Sequence, residues 1–177
     1  MNNNLNTFAS PARTLMRTAL VDITLLVVAC LVPTLSHITA LPLYHLNPML
    51  LVLLAGMLLV RNRANAFLLA VMLPLVSMMI VGMPTPLKAI CMTAEMLTLV
   101  GLYTLIDNAT ASARGRLGRT FAILLAAMVA SKIVYYAMKA LLISPDALIS
   151  TPLLTQVVVM VVAALLFGIA GSRLTRN

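Results

Sequence analysis

Four charged side chains stand inside long apolar runs of this sequence, at Lys88, Glu95, Lys132 and Lys139. A charged group at the centre of a bilayer costs about 2.5–3.5 kcal/mol or more, so such residues normally face protein or a water-filled cavity. Ionisable residues inside membrane spans also commonly mark binding sites and ion pathways. These four positions are therefore the first candidates for chemistry in the chain.

Their spacing predicts which residues share a helix face and how deep each lies in the membrane. Lys88 and Glu95 are seven residues apart, which places them on one face of a helix. Lys132, Tyr136 and Lys139 share one face of another helix. From the rise of about 1.5 Å per residue, Glu95 and Lys132 both fall near mid-membrane, where they form either a structural ion pair or contacts to a ligand. Lys88 and Lys139 fall nearer one surface, where they either extend towards headgroups or bind an anionic group of a ligand.

Predicted helix starts form a second pattern. Asn47-Pro48, Thr85-Pro86 and Thr151-Pro152 each place a capping residue before a proline, which is typical of a helix N-terminus. Three N-termini with partial positive charge would then point to one side of the membrane, where they either only begin helices or help to line an anion site. We predict a substrate-binding set on this side of the bundle: Lys88, Glu95, Lys132, Tyr136, Lys139, Asn47 and His45.

No catalytic or metal-binding pattern accompanies these charges. The sequence has no Ser-His-Asp set within reach, no paired aspartates and no glycine loop of the kind that holds phosphate. Neither histidine has a cysteine or carboxylate at a metal-ligand spacing. Cys30 and Cys91 lie in apolar runs, where we expect buried thiols rather than a disulfide. We therefore expect a protein that is not an enzyme and that needs no metal or cofactor.

The elements that must position these residues are long apolar helices. Hydrophobic residues make up 62% of the 177 residues, charged residues make up 9%, and the mean hydropathy is +1.08. An average soluble domain is about 45–50% apolar and about 25% charged. We therefore predict an all-α integral membrane bundle of six helices. The apolar segments fall at about 17–36, 48–60, 65–81, 85–106, 120–143 and 152–170.

The arginines predict the orientation of this bundle. One domain is expected at 17–171, between a polar N-terminal tail at 1–16 and a C-terminal tail at 172–177. The arginines precede the first segment, separate the second from the third and the fourth from the fifth, and follow the sixth. The other three loops contain no Lys or Arg. The positive-inside rule then predicts a multi-pass protein of the cell inner membrane with both termini in the cytoplasm. The net charge of +8 follows from this pattern and does not indicate nucleic-acid binding.

The segment GMPTPLKAICMTAEM carries a family resemblance. A turn rich in Gly, Met and Pro runs from Gly82 to Pro84, and Met92 and Glu95 form a Met-x-x-Glu element on the following helix. This pattern resembles the S components of energy-coupling-factor transporters, and the similarity covers about 45–106. The size of the chain, the six predicted spans and the cytoplasmic termini are also similar to that family.

The resemblance implies a substrate-binding subunit that captures a vitamin or related micronutrient at the outer face of the membrane. It also implies a membrane coupling subunit and two cytoplasmic ATPase subunits as partners, so that this chain does not itself hydrolyse ATP. The excess of lysine predicts an anionic ligand. Many S components dock the coupling subunit through an Ala-x-x-x-Ala element on the first span. Here that spacing occurs instead at Ala66–Ala70 on the third span and at Ala126–Ala130 on the fifth.

Two other classes of function fit the same residues. A structural or assembly membrane protein without a small-molecule ligand would use the charges to hold partner helices. A small membrane enzyme would act on lipid headgroups. Purification with a bound small molecule would separate transport from both alternatives.

Overall fold

Six α-helices make up almost all of the described chain. The computed structural model describes residues 11–39, 47–109, 117–143 and 153–174. The described residues contain no strand, so the all-α prediction is confirmed. The helices, in chain order, are α1 (Pro11–Thr39), α2 (Pro48–Val60), α3 (Arg63–Val81), α4 (Pro86–Ala109), α5 (Leu117–Leu142) and α6 (Leu153–Leu174).

Length and surface character identify a multi-pass membrane protein. Helices α1, α3, α4, α5 and α6 are each long and apolar enough to cross a membrane. Large apolar side chains cover the outside of the bundle: Met79 is 80% exposed, and Leu141 and Leu154 are each 82% exposed. An apolar surface of this extent is stable in lipid and not in water.

Helix α2 is much shorter than the other five helices, as the apolar segment predicted at 48–60 indicates. It has 13 residues and rises only about 20 Å, whereas the hydrocarbon core of a bilayer is about 30 Å thick. It contacts α1, α3 and α6, and Leu59 is its one exposed side chain. Leu50 and Leu53 are fully buried. The short helix therefore lies inside the bundle, where its leucines form the centre of the apolar core.

The predicted domain limits differ from the observed helix ends. Helix α1 begins at Pro11, inside the expected tail at 1–16, and α6 continues to Leu174, inside the expected tail at 172–177. Hydropathy marks only the apolar part of a span, whereas a helix ends where backbone signals end it. Pro11 suits a first helical position, and the Arg and Leu residues at both ends favour continued helix.

The turn between α3 and α4 follows the Gly-Met-Pro pattern. Gly82 ends α3 with φ of 72°, and its N–H donates to the carbonyl of Met78 at 3.1 Å. Glycine adopts this left-handed conformation without strain. The hydroxyl of Ser77 donates to the carbonyl of Met83 at 2.8 Å, and α4 then begins at Pro86. These bonds set where α4, which carries two of the four intramembrane charges, enters the bundle.

Amide side chains tie the helices at the opposite end. Asn62 caps α3, and Asn65 donates to the carboxylate of Asp22 on α1 at 2.9 Å. The guanidinium of Arg63 bonds the side chain of Asn108 on α4. The start of α3 and the end of α4 are therefore neighbours. This end of the bundle carries arginines, whereas Lys88 and Lys139 lie towards the other end.

Candidate functional site

A buried ion pair joins α4 to α5. The Nζ atom of Lys132 lies 2.6 Å from Oε1 of Glu95. Glu95 is 2% exposed and Lys132 is 8% exposed. Glu95 lies about 14 Å from the start of α4, close to the middle of the bilayer. The two predicted mid-membrane charges therefore contact each other, which offsets part of the cost of removing each from water.

Asn47 brings the start of α2 to the same carboxylate. Its side-chain N–H donates to Oε1 of Glu95 at 3.4 Å. Asn47 occupies the N-cap of α2, as predicted, but its side chain makes no capping hydrogen bond. Its carbonyl instead accepts from the N–H groups of Leu50 and Leu51, at 3.0 and 3.3 Å. A capping bond would use the side-chain oxygen of Asn47, so its side-chain NH2 group is available to the buried carboxylate in any case.

Two tyrosines extend the polar contacts from Lys132 towards α6. The Nζ atom of Lys132 lies 5.1 Å from the ring centroid of Tyr135, within cation–π range. The rings of Tyr135 and Tyr136 meet edge to face, with their centroids 5.5 Å apart. The hydroxyl of Tyr136 donates to Oε1 of Gln156 on α6 at 2.6 Å. Side chains of α2, α4, α5 and α6 thus form one polar cluster inside an apolar bundle.

Gln156 was missing from the predicted set. It is the one glutamine in the chain, and it interrupts the apolar run LLTQVVVMVV. Placing a polar amide in lipid costs free energy, as placing a charge there does. The single polar residue in this apolar run was therefore the signal that could have identified Gln156.

A small cavity lies where α2, α5 and α6 meet beside the ion pair. Its volume is about 10 Å³, whereas a cavity needs roughly 10–15 Å³ to hold one water. A vitamin-sized molecule therefore requires the surrounding helices to separate. The lining residues are Asn47, Leu50, Met128, Lys132, Gln156, Val159 and Met160.

The remaining predicted residues lie apart from this cluster. Lys88 is exposed in the first turn of α4, and Lys139 is half-buried in the last turn of α5. Lys88 is seven residues before Glu95 on α4, and Lys139 is seven residues after Lys132 on α5. Each therefore lies about 10 Å along its helix from the ion pair. Lys88 and Lys139 do not line the small cavity beside the ion pair, so their convergence with Glu95 in one pocket stays a prediction. His45 lies outside the described residues, as does the Thr151-Pro152 start.

The cluster can offer hydrogen bonds and charge. Glu95 supplies acceptors, Lys132 supplies donors, and the two amides supply both. The described residues contain no group of three His, Cys, Asp or Glu side chains that could hold a metal ion. Cys30 and Cys91 carry free thiols. Comparison of the chain with protein-family models, with curated proteins and with solved structures gives no match.

Proposed function

We propose that this chain is the substrate-binding subunit of an importer of the energy-coupling-factor class, and that it captures a vitamin or related micronutrient. The observation that carries the proposal is the buried polar cluster of Asn47, Glu95, Lys132 and Gln156, to which four helices contribute. Replacing a buried ion pair with apolar side chains is often neutral or stabilising by about 1–4 kcal/mol. A bundle that needed only stability would therefore gain nothing from this cluster, whereas a ligand would use its donors and acceptors.

Ligand entry would occur at the small cavity, by movement of α6 away from α2 and α5. Lys132 and Asn47 would then donate to oxygen atoms of the ligand, and Glu95 would accept from its N–H or O–H groups. An anionic ligand is favoured because the outer half of α4 and α5 holds three lysines against one glutamate. Tyr136 and Gln156 would contact the ligand from the α6 side.

The proposed orientation places both termini in the cytoplasm and the chain in the cell inner membrane. Its support is the arginine-bearing end of the bundle, where Arg61 and Arg63 lie at the α2–α3 turn and Arg119 lies in the first turn of α5. Arginine beside a span marks the cytoplasmic side. The opposite end, with Lys88 and Lys139, would face outward and receive the ligand.

Import would need a membrane coupling subunit and two cytoplasmic ATPase subunits, and this chain alone would hydrolyse no ATP. The Ala-x-x-x-Ala element on α3 is already occupied, since Ala66 and Ala70 are buried against neighbouring helices. Ala126 is exposed and Ala130 is half-buried on α5. Small residues allow close approach of another helix, so this face of α5 is the proposed contact with the coupling subunit.

The direct test is identification of a bound molecule. The full chain is purified in mild detergent from cells grown in rich medium, and released small molecules are identified by mass spectrometry. With the identified ligand, Tyr136→Phe should weaken binding about three- to tenfold, because the hydroxyl contributes a hydrogen bond of the cluster. Tyr103→Phe is the matched control and should leave the Kd unchanged, since Tyr103 lies on α4 more than two turns from Glu95. Absence of any bound molecule, or ATP hydrolysis by the chain alone, would reject the proposal.

A structural or assembly role is the second candidate. It is favoured by the direct pairing of Glu95 with Lys132 and by the small size of the cavity, because neither feature needs a ligand. Under this alternative a partner membrane protein, and no small molecule, would co-purify with the chain.

A further inference from the structure

Arg119 carries two buried hydrogen-bond donors that have no acceptor. Its Nε and Nη2 atoms are both buried, and neither has a hydrogen-bond partner. Within the described residues, no other buried side-chain nitrogen or oxygen lacks a partner. These two atoms form one edge of the planar guanidinium, where their N–H groups point the same way and match two oxygens of one carboxylate or phosphate. A buried N–H without an acceptor has lost its hydration with no hydrogen bond in return, so this edge favours an anion.

The chain itself supplies no carboxylate to this edge. The sequence has four acidic residues. Glu95 and Asp22 are held by side chains of other helices. Asp107 lies in the last turn of α4 and does not bond the two nitrogens. Asp146 follows the far end of α5 in the sequence, and that helix rises about 39 Å from its start. An anion for this edge would therefore come from outside the chain.

The depth of Arg119 is that of lipid headgroups. It precedes Lys132 by 13 residues on α5, which is a rise of about 20 Å. Lys132 lies with Glu95 near the bilayer centre, from which the edge of the hydrocarbon core is about 15 Å away. The Arg119 side chain as a whole is only half-buried, so a change of its rotamer can bring the edge to the headgroup layer. Arg114 and Arg116 precede it in the sequence, and basic residues beside a span attract anionic lipid.

We propose that the guanidinium edge of Arg119 binds the phosphate of an anionic phospholipid at the arginine-bearing end of the bundle. This role goes beyond ligand capture and does not depend on the proposed function. The Nε–H and Nη2–H groups would each donate to a different oxygen of one phosphodiester. A carboxylate would fit the same edge, but phospholipid phosphate is the anion that a membrane supplies at this depth.

Native mass spectrometry of the purified full chain tests this proposal. The chain is incubated with phosphatidylglycerol or, at equal concentration, with dioleoylglycerol, which has no phosphate, and the retained lipid is counted. We expect selective retention of phosphatidylglycerol. Arg119→Gln should reduce it about fivefold, since one basic residue near anionic lipid contributes about 1 kcal/mol. Arg119→Lys keeps the charge but lacks the two-donor edge, so its retention should fall between those of the native chain and the glutamine variant.

The control is Arg17→Gln, which removes the same charge from an exposed position near the start of α1 and should not change retention. An equal loss in Arg17→Gln would overturn the proposal, because retention would then report only net charge. Unchanged retention in Arg119→Gln, or full retention in Arg119→Lys, would overturn the role of the guanidinium edge.

Three further outcomes separate the lipid from other partners of Arg119. Because the edge has no acceptor in the chain, Arg119→Gln should leave the unfolding temperature without lipid unchanged, and a large fall would overturn the proposal. Displacement of the lipid by millimolar inorganic phosphate would show a site for free phosphate and would overturn the assignment to lipid. A co-purifying protein that is lost in Arg119→Gln would assign the edge to a carboxylate of that protein and would also overturn it.

Discussion

Replacing Glu95 with glutamine removes the charge that Lys132 faces and keeps the shape of the side chain. In the native chain, Oε1 of Glu95 accepts from Lys132 at 2.6 Å and from Asn47 at 3.4 Å. Glutamine can still accept both hydrogen bonds. The variant nevertheless leaves an ammonium group without its counter-ion at a position that is 8% exposed. We therefore expect Glu95→Gln to lower the free energy of unfolding.

The contact geometry sets the size of this effect. Two unit charges 2.6 Å apart attract by about 6 kcal/mol at an effective dielectric constant of about 20. Desolvation of the pair offsets part of this, and removal of one partner of a buried pair typically costs about 3–5 kcal/mol. Lys132 keeps its contact with the ring of Tyr135, which stabilises the remaining charge. We expect a loss of about 3 kcal/mol, at the lower end of that range.

A double-mutant cycle with Lys132→Met provides the assay. The free energy of unfolding is measured for the native chain, both single variants and the double variant in the same mixed micelles. The double variant removes both charges and should recover at least half of the loss seen in the worse single variant. A loss below about 1 kcal/mol in Glu95→Gln, or a double variant less stable than both single variants, would refute the reasoning.

Two further predictions concern orientation and packing. In the proposed orientation, the arginine-bearing turns face the cytoplasm. A cysteine at Gly115 should then react with a membrane-impermeant reagent only after permeabilisation, and a cysteine at Asp146 should react in intact cells. Reaction at Gly115 in intact cells would overturn the orientation. Gly56→Ala should be less stable than Gly101→Ala by about 1–2 kcal/mol, because the added Cβ would lie 2.7 Å from Cδ1 of Leu69, whose buried side chain must shift. Gly101→Ala, where an added Cβ meets no described atom within 4 Å, should be neutral or stabilising by up to about 1 kcal/mol; equal losses in thermal unfolding of the two variants would contradict this account of the packing.

Local signals in the sequence predicted the helices well. Proline sets the first turn of a helix by its own backbone geometry, and α2 and α4 begin at Pro48 and Pro86 as expected. Hydropathy located each apolar segment because every side chain that faces lipid must itself be apolar. Helices α1 and α6 continue past their apolar segments, and hydropathy did not reveal that α2 is an interior helix.

The candidate site was predicted only in part, since its members meet through contacts between distant segments. The cost of a charge in lipid predicted that Glu95 and Lys132 turn inward, and both are buried. The same argument, applied to charges alone, omitted Gln156, whose amide bonds Tyr136. Lys88 carries an equal charge but lies in the first turn of its helix, where a long side chain reaches the bilayer surface and need not turn inward.

The sequence by itself determined the membrane class of this protein, the positions of its helices and the inward position of its two mid-membrane charges, because each follows from the solvent and the helical period. Only the tertiary structure decided which groups meet. Asn47 reaches Glu95 from 48 residues away, and Gln156 reaches Tyr136 from the last helix. These contacts depend on the rotation and register of each helix, which arise from close packing of many side chains across helix interfaces. No single segment contains that information, so the polar cluster exists only in the assembled bundle.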